Sequence, residues 1–142
     1  MSEVRIKTRP VGATATLGRM GAPSVTSATG GTLPVVTGAS EPGFNPLDLL
    51  YASLSACLVL SARIAASRLG VLDRLTSVTA EVTGDKAHDG PSRVEKFHIR
   101  FDIQGDLDLA TRQAIATAAE GEICTVSNTL QGSPAFSMTL AD

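Results

Sequence analysis

Large aromatic side chains are nearly absent from the 142-residue sequence. It contains no tryptophan, one tyrosine and four phenylalanines, although 43% of its residues are hydrophobic. Valine, leucine, isoleucine and alanine must therefore supply the core, and small side chains each bury little area. Such a core needs close backbone packing or additional apolar area from a second subunit. The length predicts a single domain over residues 1–142.

An excess of positive charge is also missing, since 12 Lys and Arg residues face 14 Asp and Glu residues. This balance argues against a nucleic-acid partner, which requires a basic surface. The N-terminal residues lack the apolar segment of a secretory signal. The longest uncharged apolar stretch, residues 49–62, is too short and too polar to span a membrane. We therefore expect a soluble, cytoplasmic protein with no membrane partner.

Metal and cofactor signatures are absent as well. The two cysteines and two histidines are dispersed along the chain without a recognised ligand spacing. The glycine pairs lack the strand and helix context of a phosphate-binding loop or a dinucleotide fingerprint. The sequence thus predicts neither a metal nor a cofactor.

The hydrophobic pattern predicts an α+β fold. Alternation at Val4 and Ile6 and the apolar runs 13–17 and 33–36 predict an N-terminal β region over residues 3–37. Asn45 as N-cap and Pro46 at the first helical position begin a helix that Gly70 ends. Because this helix is apolar or small on all faces, we expect it to be buried at the centre of the fold.

The remaining elements follow in a clear order. Two amphipathic strands, 78–83 and 97–103, are joined by a polar loop over 84–92. A second helix is predicted over 108–120, ended by Gly121, with a short turn or helix over 124–130 and a last strand over 136–140. The predicted buried stripe of the second helix is Leu109, Ala110, Ile115, Ala118 and Ala119.

The two cysteines are the candidate reactive groups. Cys57 shares a helix face with Leu54 and Leu58, whereas Cys124 lies between the end of one helix and the start of a new turn. A thiol at a helix N-terminus faces unpaired N–H groups, which favour the thiolate. Composition alone leaves two interpretations open, a pair of inert buried thiols or a redox pair.

The segments around these cysteines resemble those of a known family. Residues 45–57, Asn-Pro-Leu-Asp-Leu-Leu-Tyr-Ala-Ser-Leu-Ser-Ala-Cys, resemble the first signature of the OsmC/Ohr family, the osmotically induced and organic-hydroperoxide-resistance proteins. Residues 124–130, Cys-Thr-Val-Ser-Asn-Thr-Leu, resemble its second signature, Cys-Pro-Val-Ser followed by an apolar residue. The resemblance implies an OsmC-like fold, with antiparallel sheets wrapped around long central helices in an intertwined homodimer.

The function that the resemblance implies is a thiol-dependent peroxidase acting in oxidative-stress defence. Cys57 would reduce an organic hydroperoxide and become a sulfenic acid, which Cys124 would resolve as a disulfide. A small or lipoyl-type dithiol would then reduce that disulfide. Apolar neighbours of Cys57 favour alkyl or lipid peroxides. The alternative is a non-catalytic OsmC-like dimer that binds an apolar or thiol-bearing small molecule.

The resemblance also assigns two charged residues to the catalytic site. Arg19, in a glycine-rich turn, resembles the arginine that stabilises the thiolate in the hydroperoxidases. The glutamate that usually follows Asn-Pro is Leu47 here, and the acid stands one residue later, at Asp48. Asp48 lies about 180° around the helix from Cys57, so a helix-dipole role competes with a catalytic one. Glu41 is a second candidate partner for the arginine.

One position of the second signature also differs. Thr125 stands where the family usually has proline. This exchange changes the stiffness of the turn after Cys124 and leaves the thiol in place.

Overall fold

The computed structural model describes residues 9–142 and divides the chain into two compact units, one ending at Leu49 and one over Leu50–Asp142. The predicted strand residues Val4 and Ile6 lie outside the described residues. The N-terminal unit contains one antiparallel sheet in the order β1-β2-β3. Its strands are β1 (Ala13–Thr16), β2 (Ser24–Ser27) and β3 (Thr32–Pro34).

The N-terminal strands agree with the predicted β region in part. β1 lies within the predicted run 13–17, whereas β3 ends at Pro34 and does not extend to residue 36. The N–H of Val36 instead donates to the carbonyl of Phe44, at 3.0 Å, and Phe44 lies outside the sheet. The short strand β2, rich in serine and threonine, has no hydrophobic alternation from which to predict it.

The long helix α1 (Pro46–Arg68) has the bounds that its capping residues predict. At its start, the N–H of Asp48 donates to Asn45 Oδ1 at 2.8 Å, and the N–H of Asn45 donates to Asp48 Oδ2 at 3.1 Å. This reciprocal pair is a capping box, with aspartate in place of the usual glutamate. At its end, Gly70 has a φ of +73°, a conformation that glycine adopts without steric cost.

The second unit is built on a long antiparallel hairpin of β4 (Leu75–Lys86) and β5 (Val94–Gly105). A 3₁₀ turn, Leu72–Arg74, leads into it. The pairing places Val82 opposite Ile99 and Ala80 opposite Phe101, so the apolar residues of both strands share one face. The predicted strand pair is confirmed, but the predicted loop over 84–92 is too long at its start. β4 continues through residues 84–86 to Lys86, and β5 begins at Val94.

After the hairpin come α2 (Leu109–Ala118), a π-helical turn (Ala119–Ile123) and α3 (Thr125–Gln131). Asp108 caps α2 by accepting the N–H of Thr111 at 2.8 Å. The prediction that Gly121 ends the second helix is wrong, because the backbone winds on through the π turn to Cys124.

The predicted buried stripe of α2 is also partly wrong. Ile115 and Ala119 are fully buried, whereas Leu109 in the first turn is 72% exposed and Ala110 is exposed as well. Both exposed residues belong to the first turn of α2.

One face of α1 packs on the apolar face of the hairpin and on α2. The buried residues of this core are Ala62, Ala65, Ala66, Val71, Ile103, Ile115 and Ala119. The alanines of α1 let the helix lie close to its neighbours, which compensates for the scarcity of large aromatic side chains.

Two apolar segments remain exposed in the single chain. On α1, Leu60 and Ile64 are about half exposed, so the expected burial of the helix on all faces is not complete. The predicted strand 136–140 is wrong for the single chain, because residues 134–142 form no helix or strand. Phe136, Met138 and Leu140 alternate along this segment and are each more than 90% exposed. A strand forms only where a neighbouring edge supplies its hydrogen bonds.

Helix α1 is long and apolar enough to cross a membrane by length and composition, and it is the one such helix among residues 9–142. The core helix of a soluble protein meets the same criterion, and α1 is the helix on which the core is built.

Candidate functional site

Cys57 lies in the middle of α1, on the face that packs against the hairpin. Its neighbours on this face are Leu54, one turn earlier, and Leu58, both fully buried, while Cys57 itself is half-buried. Ser61 follows one turn later and is also buried. Helical spacing thus places one thiol and one hydroxyl next to each other on an otherwise apolar face.

Cys124 is the N-cap of α3 and is completely buried. The N–H of Cys124 donates to the carbonyl of Ala119 at 2.9 Å, and its own carbonyl accepts the N–H of Asn128 at 2.9 Å. The N–H of Ser127 donates to Cys124 Sγ at 3.4 Å. The thiol therefore takes the place of the Ser or Asp oxygen that usually caps a helix.

The fold brings the two cysteines together, although they lie 67 residues apart in sequence. Both are free thiols, and both belong to one apolar cluster, which we call the thiol cluster. Its buried members are Leu54, Leu58 and Cys124, and around them pack Cys57, Ala80, Val82, Phe97, Ile99, Phe101 and Val126.

The surroundings of Cys57 favour its thiolate. Burial by itself raises the pKa of the Cys57 thiol, but hydrogen bonds from its neighbours outweigh it and bring the pKa below its ordinary value. The donors are, in order of effect, the N–H of Val126, the thiol of Cys124, the hydroxyl of Ser61 and the N–H of Thr125. Hydrogen bonds donated to a charged group stabilise that charged form. Cys57 is consequently the better nucleophile of the two.

Cys124 has the opposite tendency. Burial raises the pKa of the Cys124 thiol, and the N–H groups of Ser127 and Val126 offset only part of this effect. The hydrogen bond to Cys57 and the negative charge on Cys57 raise the pKa further. At neutral pH the pair therefore consists of a thiolate-prone Cys57 and a protonated Cys124.

A small polar network adjoins Cys124. Ser127, which is 4% exposed, donates its hydroxyl to Glu120 Oε1 at 3.3 Å. Gln131 Nε2 donates to the same Glu120 oxygen at 2.8 Å and to Ser127 Oγ at 3.0 Å. These three side chains form one wall of a cavity of about 220 Å³, whose other lining residues are Leu54, Phe97, Ile99 and Leu130.

The charged residues assigned from the sequence lie in the N-terminal unit. Arg19 is exposed in the turn between β1 and β2. Asp48 is half-buried and its carboxylate is engaged in the capping box with Asn45. Glu41 accepts the N–H of Gly38 at 3.4 Å. The catalytic roles of Arg19 and Asp48 stay predictions.

Sequence reasoning missed the polar residues around the thiols. Ser61 lies four residues after Cys57, the helical spacing for a side-chain contact, and this spacing is the signal that could have found it. Ser127 belongs to the second signature and was not given a role, and nothing in the local sequence indicates the network with Glu120 and Gln131. Among residues 9–142, no group of three or more His, Cys, Asp or Glu side chains is arranged to hold a metal ion.

Comparison with known proteins identifies the family. The family model described as OsmC-like protein matches residues 38–139, which include both cysteines. The chain belongs to the OsmC-like family. The α+β architecture, with antiparallel sheets and a long helix that carries the first cysteine, is the OsmC/Ohr fold. No curated protein matches the sequence.

Solved structures of OsmC-like proteins share this fold. An OsmC-like protein from Mycoplasma pneumoniae is 19% identical, with a TM-score of 0.73 and coverage of 89% of this chain and 91% of that one. An organic hydroperoxide resistance protein from Elizabethkingia anophelis is 24% identical, with a TM-score of 0.70 and coverage of 89% and 91%. The organic hydroperoxide resistance protein OhrB of Bacillus subtilis is 24% identical, with a TM-score of 0.66 and coverage of 86% and 90%.

Proposed function

We propose that this OsmC-like protein is a thiol-dependent peroxidase that reduces organic hydroperoxides, with Cys57 as the attacking thiol and Cys124 as the resolving thiol. The observation that carries the proposal is the juxtaposition of two free thiols in the thiol cluster, one with a lowered and one with a raised pKa. The names of the two hydroperoxide resistance proteins of the same fold support this reaction class.

The chemistry follows from the ionisation of the pair. The Cys57 thiolate attacks one peroxide oxygen, the O–O bond breaks, and the alkoxide takes up a proton and leaves as an alcohol. Cys57 is thereby oxidised to a sulfenic acid. The Cys124 sulfur then attacks the Cys57 sulfur, water leaves, and a Cys57–Cys124 disulfide remains. A small or lipoyl-type dithiol reduces this disulfide by thiol–disulfide exchange and is itself oxidised to a disulfide.

The order of the two steps is supported by the electrostatics. While Cys57 is a thiolate, its charge raises the pKa of Cys124 and keeps that thiol protonated. Oxidation of Cys57 to the neutral sulfenic acid removes this charge, so the pKa of Cys124 falls when its thiolate is needed. The resolving thiol is therefore held back until the first step is complete.

The thiol cluster favours peroxides with an apolar organic group. Leu54, Leu58 and Phe97 surround the thiols with apolar side chains. An alkyl or aryl group of the peroxide can bury its surface against them, whereas hydrogen peroxide has no such group. Arg19 as the positive partner of the thiolate and Asp48 as a catalytic carboxylate remain predictions from the family resemblance. The reaction as written needs no metal or cofactor.

We also propose that the protein acts as a cytoplasmic homodimer. Leu60 and Ile64 on α1 and the alternating Phe136, Met138 and Leu140 leave apolar surface exposed in the single chain. Surface of this kind on a soluble protein indicates a protein partner. A second copy that buries it would supply the area that an aromatic-poor core lacks.

The dimer is tested by the molar mass in light scattering. The wild type is expected at twice the chain mass of 14.6 kDa, and Met138→Asp is expected to shift it toward the monomer because a buried charge is costly. Ser137→Asp, on the alternate side of the same segment, is the matched control. A monomeric wild type would contradict the proposal.

The peroxidase is tested with purified, reduced protein. Cumene hydroperoxide and hydrogen peroxide are supplied separately with dihydrolipoamide, and the remaining peroxide is measured. We expect faster consumption of cumene hydroperoxide by the wild type and none by Cys57→Ser. Cys124→Ser, assayed without dithiol, is expected to consume one equivalent per chain and to stop with Cys57 as a sulfenic acid, because no second thiol resolves it. If the wild type consumes neither peroxide with any dithiol, the enzyme proposal is refuted and the binding alternative gains support.

A further inference from the structure

The polar network beside Cys124 joins the two elements that flank this residue. Glu120 lies in the π turn that precedes Cys124, whereas Ser127 and Gln131 lie on α3, which follows it. Glu120 Oε1 accepts hydrogen bonds from both α3 side chains, and Gln131 also donates to Ser127 Oγ. Each of the three side chains thus bonds to the other two, and this triangle of hydrogen bonds links the segments before and after Cys124.

This triangle is connected to the cysteine sulfur through one residue. Ser127 donates its side-chain hydroxyl to Glu120 and its backbone N–H to Cys124 Sγ, at 3.3 and 3.4 Å. Ser127 is buried, so water does not readily replace the carboxylate as its partner. By holding the Ser127 side chain, the Glu120 carboxylate therefore also fixes the position of the Ser127 N–H that donates to Cys124 Sγ.

We propose that Glu120, through Ser127 and Gln131, is a positioning residue that holds Cys124 in the orientation from which it attacks oxidised Cys57. This inference rests on the proposed function, because it assigns Cys124 the resolving role. Holding two reacting groups in the productive geometry raises the rate of an intramolecular step, and a loose turn forfeits that gain. Glu120 touches neither sulfur, so the first step, the attack by Cys57, does not depend on it.

The π turn explains why Cys124 needs additional side-chain hydrogen bonds to fix its position. Its backbone bond from Cys124 N–H to Ala119 carbonyl spans five residues, and such turns are rare and interrupt the regular helix. A second tie crosses the same turn, since Asn128 Nδ2 donates to the carbonyl of Glu122 at 3.0 Å. Glu122 itself has an exposed side chain that forms a 3.7 Å ion pair with Arg68. Glu122 is therefore a matched control, an acid of the same turn outside the triangle.

The experiment uses the reduced full-length protein and the disulfide reagent DTNB, so it needs no peroxide. The Cys57 thiolate attacks DTNB, releases one thionitrobenzoate anion and becomes a mixed disulfide. Cys124 then attacks the Cys57 sulfur, releases a second thionitrobenzoate and forms the Cys57–Cys124 disulfide. Stopped-flow absorbance resolves the two releases as separate phases, and the second phase reports the resolving step.

We expect Glu120→Ala to slow the second phase by about tenfold while the first phase changes by less than about twofold. Glu120→Gln, which keeps the acceptor oxygen, is expected to restore most of the second-phase rate. Glu122→Ala is expected to match the wild type in both phases. An unchanged second phase in Glu120→Ala, or equal slowing of both phases, would overturn the proposal.

A substitute variant and a comparison with peroxide consumption complete the experiment. If Glu120→Ala does not fold, Gln131→Ala takes its place, because Gln131 is exposed and its loss opens the same triangle. A second phase as fast as that of the wild type would then overturn the proposal. A wild type that shows both phases but consumes no peroxide refutes the peroxidase and leaves the positioning role standing.

Discussion

The capping box at the start of α1 gives a quantitative prediction about Asp48. In Asp48→Ala, the N–H of Asn45 loses the acceptor that it contacts at 3.1 Å, and the first turn loses a negative charge. In Asn45→Ala, the N–H of Asp48 loses the acceptor that it contacts at 2.8 Å. Both variants thus open the same helix start, and only one of them removes the carboxylate.

The expected loss in the free energy of unfolding is the sum of a hydrogen-bond contribution and a helix-dipole contribution. One hydrogen bond to a half-buried N–H contributes about 1 kcal/mol, and a first-turn carboxylate contributes a further 0.3–1 kcal/mol, roughly, through the helix dipole. Asp48→Ala should therefore reduce the free energy of unfolding by about 1.5 kcal/mol, and Asn45→Ala by about 1 kcal/mol. For a chain of this size, the corresponding fall in Tm is about 3–6 °C for Asp48→Ala and about 2–4 °C for Asn45→Ala.

Thermal unfolding followed by circular dichroism, at one fixed protein concentration, measures these shifts. Glu41→Ala is the control, since Glu41 bonds to Gly38 in a loop and caps no helix. A Tm of Asp48→Ala equal to that of Glu41→Ala would refute the capping role. A catalytic carboxylate contributes about 10²–10⁴ in rate, so kcat/KM about a hundredfold lower in Asp48→Ala than in Asn45→Ala would place Asp48 in the chemistry.

Two predictions concern the thiols. The pKa of Cys57 is lowered and that of Cys124 is raised, so iodoacetamide should label Cys57 first at neutral pH. The labelling rate of Cys57 should also level off at a lower pH than that of an ordinary cysteine. Peptide mass spectrometry that finds Cys124 labelled first would contradict this prediction. Thr125→Pro removes one N–H donor to Cys57 and should raise the Cys57 pKa, whereas Thr125→Ala keeps the donor and serves as control. Proline is tolerated at the first position of a helix, and the extended backbone of Cys124, with φ −68° and ψ 108°, suits a residue before proline. Equal labelling profiles for the two Thr125 variants would show that this N–H does not act on the thiolate.

Local signals were sufficient to predict much of the fold. The caps Asn45 and Gly70 gave the bounds of α1, and the alternation of apolar residues gave the β4–β5 hairpin. These features depend on hydrogen bonds and side-chain periods within a few residues, which a sequence displays directly. The contact of Cys57 with Cys124 depends on how α1 and α3 pack, and the resemblance to the family, not the spacing, predicted it.

The incorrect predictions share one feature: the residue pattern is compatible with more than one backbone outcome. Gly121 has the composition of a helix end, but the following residues continue into a π turn whose bonds to Ala119 are invisible in the pattern. The segment 136–140 has the alternation of a strand, and in the single chain no edge pairs with it. Leu109 fits the helical period of α2 and yet lies in its exposed first turn. In each case the residue pattern does not record the contacts, or their absence, that decide the outcome.

The two departures from the family signatures bear on different parts of the proposed reaction. The hydrogen bonds that lower the pKa of Cys57 come from Ser61, Cys124, Thr125 and Val126, all in the second unit. None of them depends on a glutamate at position 47, so Leu47 leaves this stabilisation of the thiolate intact. Thr125, at the position where the family usually has proline, contributes an N–H donor that proline lacks. The stabilisation of the Cys57 thiolate thus comes from α1 and from the turn that carries Cys124, and it does not involve residue 47.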